Sequence, residues 1–140
     1  MMKRIVITGL LLLAAALPAR AADPSAAEGR RVFELRTYVA NEGKLEALHQ
    51  RFREHTNDLF RKHGMTIVGF WVPQDETDGQ ANTLVYLLAF PSREAAKKSW
   101  AAFAADPEWQ KAKAESERDG VLVGKVISVY LDPTDYSPLK

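Results

Sequence analysis

Glu34, Arg36 and Tyr38 alternate in the segment Glu34-Leu35-Arg36-Thr37-Tyr38. At a period of two, a strand places a carboxylate, a guanidinium and a phenol side by side on one face. Such a set can orient a small polar molecule. In an enzyme, Arg36 would hold a substrate oxygen, Tyr38 would donate a hydrogen bond, and Glu34 or His55 would move a proton. The same triplet also makes an ordinary structural unit, a Glu–Arg ion pair at a sheet or subunit surface with the tyrosine packed beside it. Both readings stay open at this point.

Two aromatic motifs and three histidines complete the candidates. In Gly69-Phe70-Trp71, the glycine allows close approach of another group to a strand, and Trp71 could roof a pocket or pack at an interface. In Asp106-Pro107-Glu108-Trp109, the first three residues have the chemistry of a helix start. Trp109 could form a pocket wall. His49, His55 and His63 all fall on the first predicted helix, and none has a partner spaced as in a zinc site. His55, at the edge of the apolar stripe, is the histidine best placed to move a proton. No glycine-rich phosphate loop and no serine nucleophile elbow is present, so no metal and no cofactor is expected.

The elements that must position these residues follow from periodicity. Val32–Val39 is the first strand and Asn41-Glu42-Gly43 a turn. Lys44–His63 predicts a helix, because Leu45, Leu48, Phe52, Thr56, Leu59 and Phe60 fall in one arc. Gly64 stands where a helix ends on a left-handed residue. Met65–Val72 is the second strand, Pro73–Asn82 a hairpin loop, and Thr83–Phe90 the third strand. Ser92 caps the next helix, whose stripe is Ala96, Trp100 and Phe103. Asp106 starts another helix that turns Trp109 and Ala112 inward and ends at Gly120. Val126–Leu131 is the fourth strand. This order is the split βαβ, or ferredoxin-like, pattern: an α+β sandwich with a four-stranded antiparallel sheet and all helices on one face.

The third strand decides the assembly. Leu84, Tyr86, Leu88 and Phe90 point one way and Val85, Leu87 and Ala89 the other, so both faces are apolar. A strand covered on one side only would alternate with polar residues. The helices suffice for one face, and a second copy is expected to cover the other, giving a homodimer whose paired sheets close into an α/β barrel.

Residues 1–31 are not expected to belong to the domain. Met1-Met2-Lys3-Arg4 is basic, Ile5–Leu17 is an apolar run too short for a membrane span, and Pro18-Ala19-Arg20-Ala21 has the small-residue pattern of a cleavage site. The sequence predicts a signal peptide over residues 1–21, cleavage after Ala21, a lead-in over 22–31, and a domain over 32–140. The protein is then periplasmic or secreted and keeps no membrane anchor. Of 19 basic and 18 acidic residues, three basic ones lie in the leader, leaving a net charge of about −2. That balance argues against nucleic acid as a partner. With no cysteine, disulfide and thiolate chemistry are excluded.

Several segments together resemble the NIPSNAP family. They are Val32-Phe33-Glu34-Leu35-Arg36-Thr37-Tyr38, Gly43, Val68-Gly69-Phe70-Trp71, Asn82 with the apolar strand after it, Asp106-Pro107-Glu108-Trp109-Gln110, and Leu131-Asp132-Pro133-Thr134-Asp135-Tyr136-Ser137-Pro138. The resemblance implies a dimeric α/β-barrel domain. The wider barrel group includes cofactor-independent monooxygenases and haem-handling enzymes. By that analogy a ligand cleft lies between sheet and helices, with Arg36, Tyr38, Trp71, Asn82, Tyr86 and Trp109 as its lining. The mitochondrial and vesicle-traffic roles of animal relatives do not transfer to a chain with a secretory leader and one domain. Two functions follow as expectations. One is a homodimer that binds a small apolar ligand or a protein partner. The other is a cofactor-independent monooxygenase-like enzyme using Glu34, Arg36, Tyr38 or His55.

Overall fold

The computed structural model describes residues 31–140, so the leader and most of the lead-in lie outside the described residues. The alternating segment at the start forms β1 (Val32–Ala40). The amphipathic stretch after it forms α1 (Leu45–Arg51), a π-helical turn (Phe52–Thr56) and α2 (Asn57–Lys62). The expected helix is thus interrupted. Thr56 donates its hydroxyl to the Arg51 carbonyl at 3.2 Å, five residues back, which suits the wider turn. The extra residue leaves the stripe intact, since Leu48, Phe52, Thr56, Leu59 and Phe60 are all buried.

Gly64 ends α2 with φ +74°, a conformation costly for any residue with a Cβ. Its N–H reaches the Arg61 carbonyl and the Met65 N–H reaches the Phe60 carbonyl, the two bonds of a Schellman cap. The chain then turns into β2 (Thr66–Trp71), a loop with a 3₁₀ turn (Glu76–Asp78), and β3 (Thr83–Phe90). Ser92 caps α3 (Arg93–Ala105) by accepting the Ala95 N–H, and Asp106 caps α4 (Pro107–Ser116) by accepting the Glu108 N–H. α4 stops four residues before Gly120, and β4 (Val123–Leu131) starts three residues earlier than the apolar run indicates.

The sheet order is β2-β3-β1-β4 with every pair antiparallel, the expected ferredoxin-like arrangement. On one face Tyr38, Leu84, Tyr86, Leu88, Phe90, Ile67 and Phe70 pack against the helices. A bulge at Val68 lets both Ile67 and Phe70 reach that face, against simple alternation. On the other face lie Leu35, Val85, Leu87, Trp71, Ile127, Val129 and Leu131, and among the described residues no helix lies over them. Trp71 is 53% exposed and Val129 46%. The tail after β4 folds back over one end of this face, where the Lys140 carbonyl accepts from Arg31 Nε at 2.6 Å.

Candidate functional site

β1 carries Glu34, Arg36 and Tyr38 on the helix side of the sheet, as alternation requires. The register sets their neighbours. Glu34 lies opposite Tyr130 of β4, and Arg36 lies between Tyr86 of β3 and Ser128 of β4. Glu34 is only 1% exposed. Its carboxylate accepts from Arg36 Nη1 at 2.8 Å, Ser128 Oγ at 2.6 Å and Trp100 Nε1 at 2.6 Å. A buried carboxylate requires such donors, and here one charge and two neutral groups meet the need. Burial, followed by the nearby Glu34 charge, raises the Tyr130 phenol above its ordinary range.

Arg36 is held on three sides. Glu34 takes one N–H, and the guanidinium lies over the Trp100 ring at 4.2 Å and the Tyr38 ring at 5.5 Å. Among the described residues, its Nε–H is buried without a partner, as is the hydroxyl of the neighbouring Tyr86. Burial pushes the Tyr86 phenol well above its usual value, with Tyr38 beside it adding to the effect. Tyr86 therefore stays a neutral donor.

The remaining expected residues do not join this cluster. Trp71 lies on the opposite face of the sheet, because its register partner is Val85 and not Tyr86. Its indole lies across Gly69, whose hypothetical Cβ would come within 2.7 Å of the ring. The close approach expected at this glycine is therefore made by a side chain of the same strand. Asn82 serves the loop: its carbonyl accepts the Ala40 N–H at 2.7 Å and its side chain accepts from Thr83 Oγ1 at 3.0 Å. Trp109 packs in the helical layer, 4.4 Å from Phe103 and 5.0 Å from the Arg51 guanidinium. His55 is exposed on the outer surface of the helices, 3.9 Å from Glu54. It lines a groove of ≈ 550 Å³ between α2 and α4, away from Glu34.

The cleft anticipated between sheet and helices is occupied by the chain's own rings. Phe52 contacts Tyr38, Phe60, Phe70 and Tyr86 edge-on, with centroids 5.4–6.1 Å apart. These five rings pack against one another in the space between sheet and helices. Sequence reasoning missed Ser128 and Trp100 as partners of Glu34. Ser128 comes to it through the β1–β4 register and Trp100 through the packing of α3 on the sheet, and the sequence states neither.

A second polar cluster joins the helices. Asp106 Oδ2 meets His63 Nε2 at 2.6 Å and Lys62 Nζ at 2.9 Å, while Oδ1 caps α4. These bonds, led by Lys62, then His63, then the Glu108 N–H, hold the Asp106 carboxyl well below the usual carboxylate range. Among the described residues, no group of three or more His, Asp and Glu side chains is arranged to hold a metal.

The sheet order, the helices on one side and the ion-paired β1 define a ferredoxin-like α+β domain. The chain belongs to the NIPSNAP family, whose model matches residues 33–138. Among solved structures it is similar to a NIPSNAP family protein of unknown function from Agrobacterium tumefaciens, at 24% identity and TM-score 0.69, over 81% of this chain and 96% of that one. A second from the same organism matches at 22% identity and TM-score 0.68, over 79% and 99%. An uncharacterized NIPSNAP-like domain protein from Burkholderia xenovorans matches at 21% identity and TM-score 0.66, over 79% and 91%. No curated protein matches the chain.

Proposed function

We propose that the protein is an exported homodimer that binds a small apolar ligand or a protein partner, with the helix-side polar cluster serving to hold the fold. The observation that carries this reading is the bare apolar sheet face. Leu35, Val85, Leu87, Trp71, Ile127, Val129 and Leu131 share it, and no helix of the described residues lies over them. Fully burying one such side chain contributes roughly 1.5–3 kcal/mol, and the half-exposed members would gain about half of that. A patch of this kind is more than monomers ordinarily leave wet. A second copy would bring the same apolar face to it, and face-to-face pairing would leave the helices outside. Export is supported by the leader's basic start, short apolar run and small-residue cleavage pattern.

Binding is favoured over acid–base chemistry by the commitment of Glu34. Its two oxygens already accept three hydrogen bonds, so it is poorly placed to take a proton from a substrate. The enzyme reading keeps one supporting observation: Arg36 Nε and Tyr86 Oη are adjacent buried donors without acceptors. A substrate oxygen seated between them would satisfy both.

Native mass spectrometry of the mature chain from its own compartment tests the proposal. The expected species is a dimer beginning at Ala22, and Val129→Glu is expected to yield a folded monomer. A wild-type chain that stays monomeric at high concentration would overturn the dimer.

A further inference from the structure

The helix-free face of the sheet is not open along its whole length. Phe33 shares that face with Leu35 by alternation, yet it is 5% exposed, against 46% for Val129. Its cover is the chain's own C-terminal tail, residues 132–140, which turns back over the end of the sheet where β1 begins. Pro133 and Leu139 of the tail come down towards Phe33, Leu87 and Leu131. The fit is loose. An open depression of ≈ 260 Å³ separates tail from sheet, and Leu131 and Leu139 on its two sides remain exposed. The tail's polar groups are turned to one another: Ser137 Oγ donates to the Leu139 carbonyl at 2.8 Å, and Lys140 Nζ to the Asp135 carbonyl at 2.7 Å. Among the described residues, one hydrogen bond ties the tail to the rest of the domain, from Arg31 Nε to the Lys140 carbonyl at 2.6 Å, and no main-chain bond joins it to the strands. A segment held so lightly lifts at far lower cost than the sheet beneath it.

We propose that the tail is an autoinhibitory strap, which occupies one end of the face through which a second copy binds and must lift for the two sheets to meet in full. The proposal rests on the dimer reading and concerns the regulation of that dimer. Continuity supports it. In the strand register Phe33 and Leu131 lie one step along from Leu35 and Val129, and Leu87 lies opposite Leu35, so strapped and open residues form one surface. Thickness supports it too. Sheets packed face to face stand about 10 Å apart, a gap filled by the inner side chains of both. A tail lying on one sheet is a further layer, and a second sheet cannot close to that distance over it. Tail and second copy therefore compete for Phe33, and the dimer's apparent affinity falls by the fraction of chains whose tail has lifted, counted once for each copy. Arg31 is the latch. Its guanidinium holds the Lys140 carbonyl and also lies 5.3 Å from the Phe33 ring that the tail hides.

Sedimentation equilibrium on three forms of the full mature chain tests the strap: wild type, a chain truncated after Leu131, and Arg31→Ala with the tail intact. Circular dichroism checks that each is folded. Truncation is expected to lower the dimer dissociation constant at least tenfold, and Arg31→Ala at least threefold, with association ending at two copies. Val129→Glu placed in the truncated chain is expected to return it to a monomer, because the same face is used. A dissociation constant that rises or stays unchanged on truncation overturns the strap. So does open-ended aggregation, or association that survives Val129→Glu, since the uncovered Phe33 is then merely adhesive. If truncation tightens the dimer and Arg31→Ala does not, the strap stands and Arg31 is not its latch. Should the truncated chain not fold, Arg31→Ala decides by the same criterion. The dimer reading fails separately. A wild-type dimer that truncation does not tighten defeats the strap alone, and a monomeric wild type whose truncated form dimerises defeats the dimer of the intact chain alone. Three monomers defeat both.

Discussion

Glu34 is the residue on which the β1–β4–α3 junction turns, because each of those elements sends it a donor. Glu34→Gln keeps the shape but removes the charge that answers Arg36. Breaking a buried pair costs about 3–5 kcal/mol, and the partial exposure of Arg36 brings the expected loss to about 2–4 kcal/mol in urea denaturation. Ser128→Ala removes one hydrogen bond to a charged group and should cost about 1–2 kcal/mol by the same measurement. The triplet Glu34, Arg36 and Tyr38 was legible as one polar face of one strand. Its partners were not, since Ser128 lies 94 residues away and is brought to Glu34 only by strand pairing.

At the scale of elements, the caps and turns were the most legible part. Ser92, Asp106 with Pro107, and Gly64 act locally, and the chemistry of each residue states its role. The π turn and the β2 bulge were less so. Each inserts a residue into a regular pattern because the packing on both sides demands it, and periodicity alone does not show where. The Asp106 cluster gives a prediction at this scale. A carboxyl held low in the fold contributes stability that is fully present above its unfolded value, near pH 4, and is lost as pH falls below it. Melting temperature should therefore fall as pH drops from about 5 toward 2, and Asp106→Asn should flatten part of that fall in thermal melts. Gly69→Ala tests β2. The new methyl displaces the Trp71 ring, which is exposed and can swing away, so fold stability should change by less than about 1 kcal/mol. If a second copy covers this face, its dissociation constant should rise, as read by analytical ultracentrifugation.

For the whole molecule, two apolar faces on β3 and helices enough for one were plain in the sequence, and the fold bears out that imbalance. The position of a cleft was not legible, because the rings that fill the sheet–helix space are also the residues expected to line it. If the bare face is closed by a second copy, unfolding is coupled to dissociation. The melting temperature should then rise by roughly 5 °C over a hundredfold increase in protein concentration. The seat of Trp71 over Gly69 has an optical consequence. Of the three tryptophans, Trp100 and Trp109 pack among the helices, while Trp71 alone stands on the uncovered side. Its indole emission is thus a built-in gauge of that side: red-shifted while water reaches the ring, blue-shifted once something dry settles on it, with no label attached.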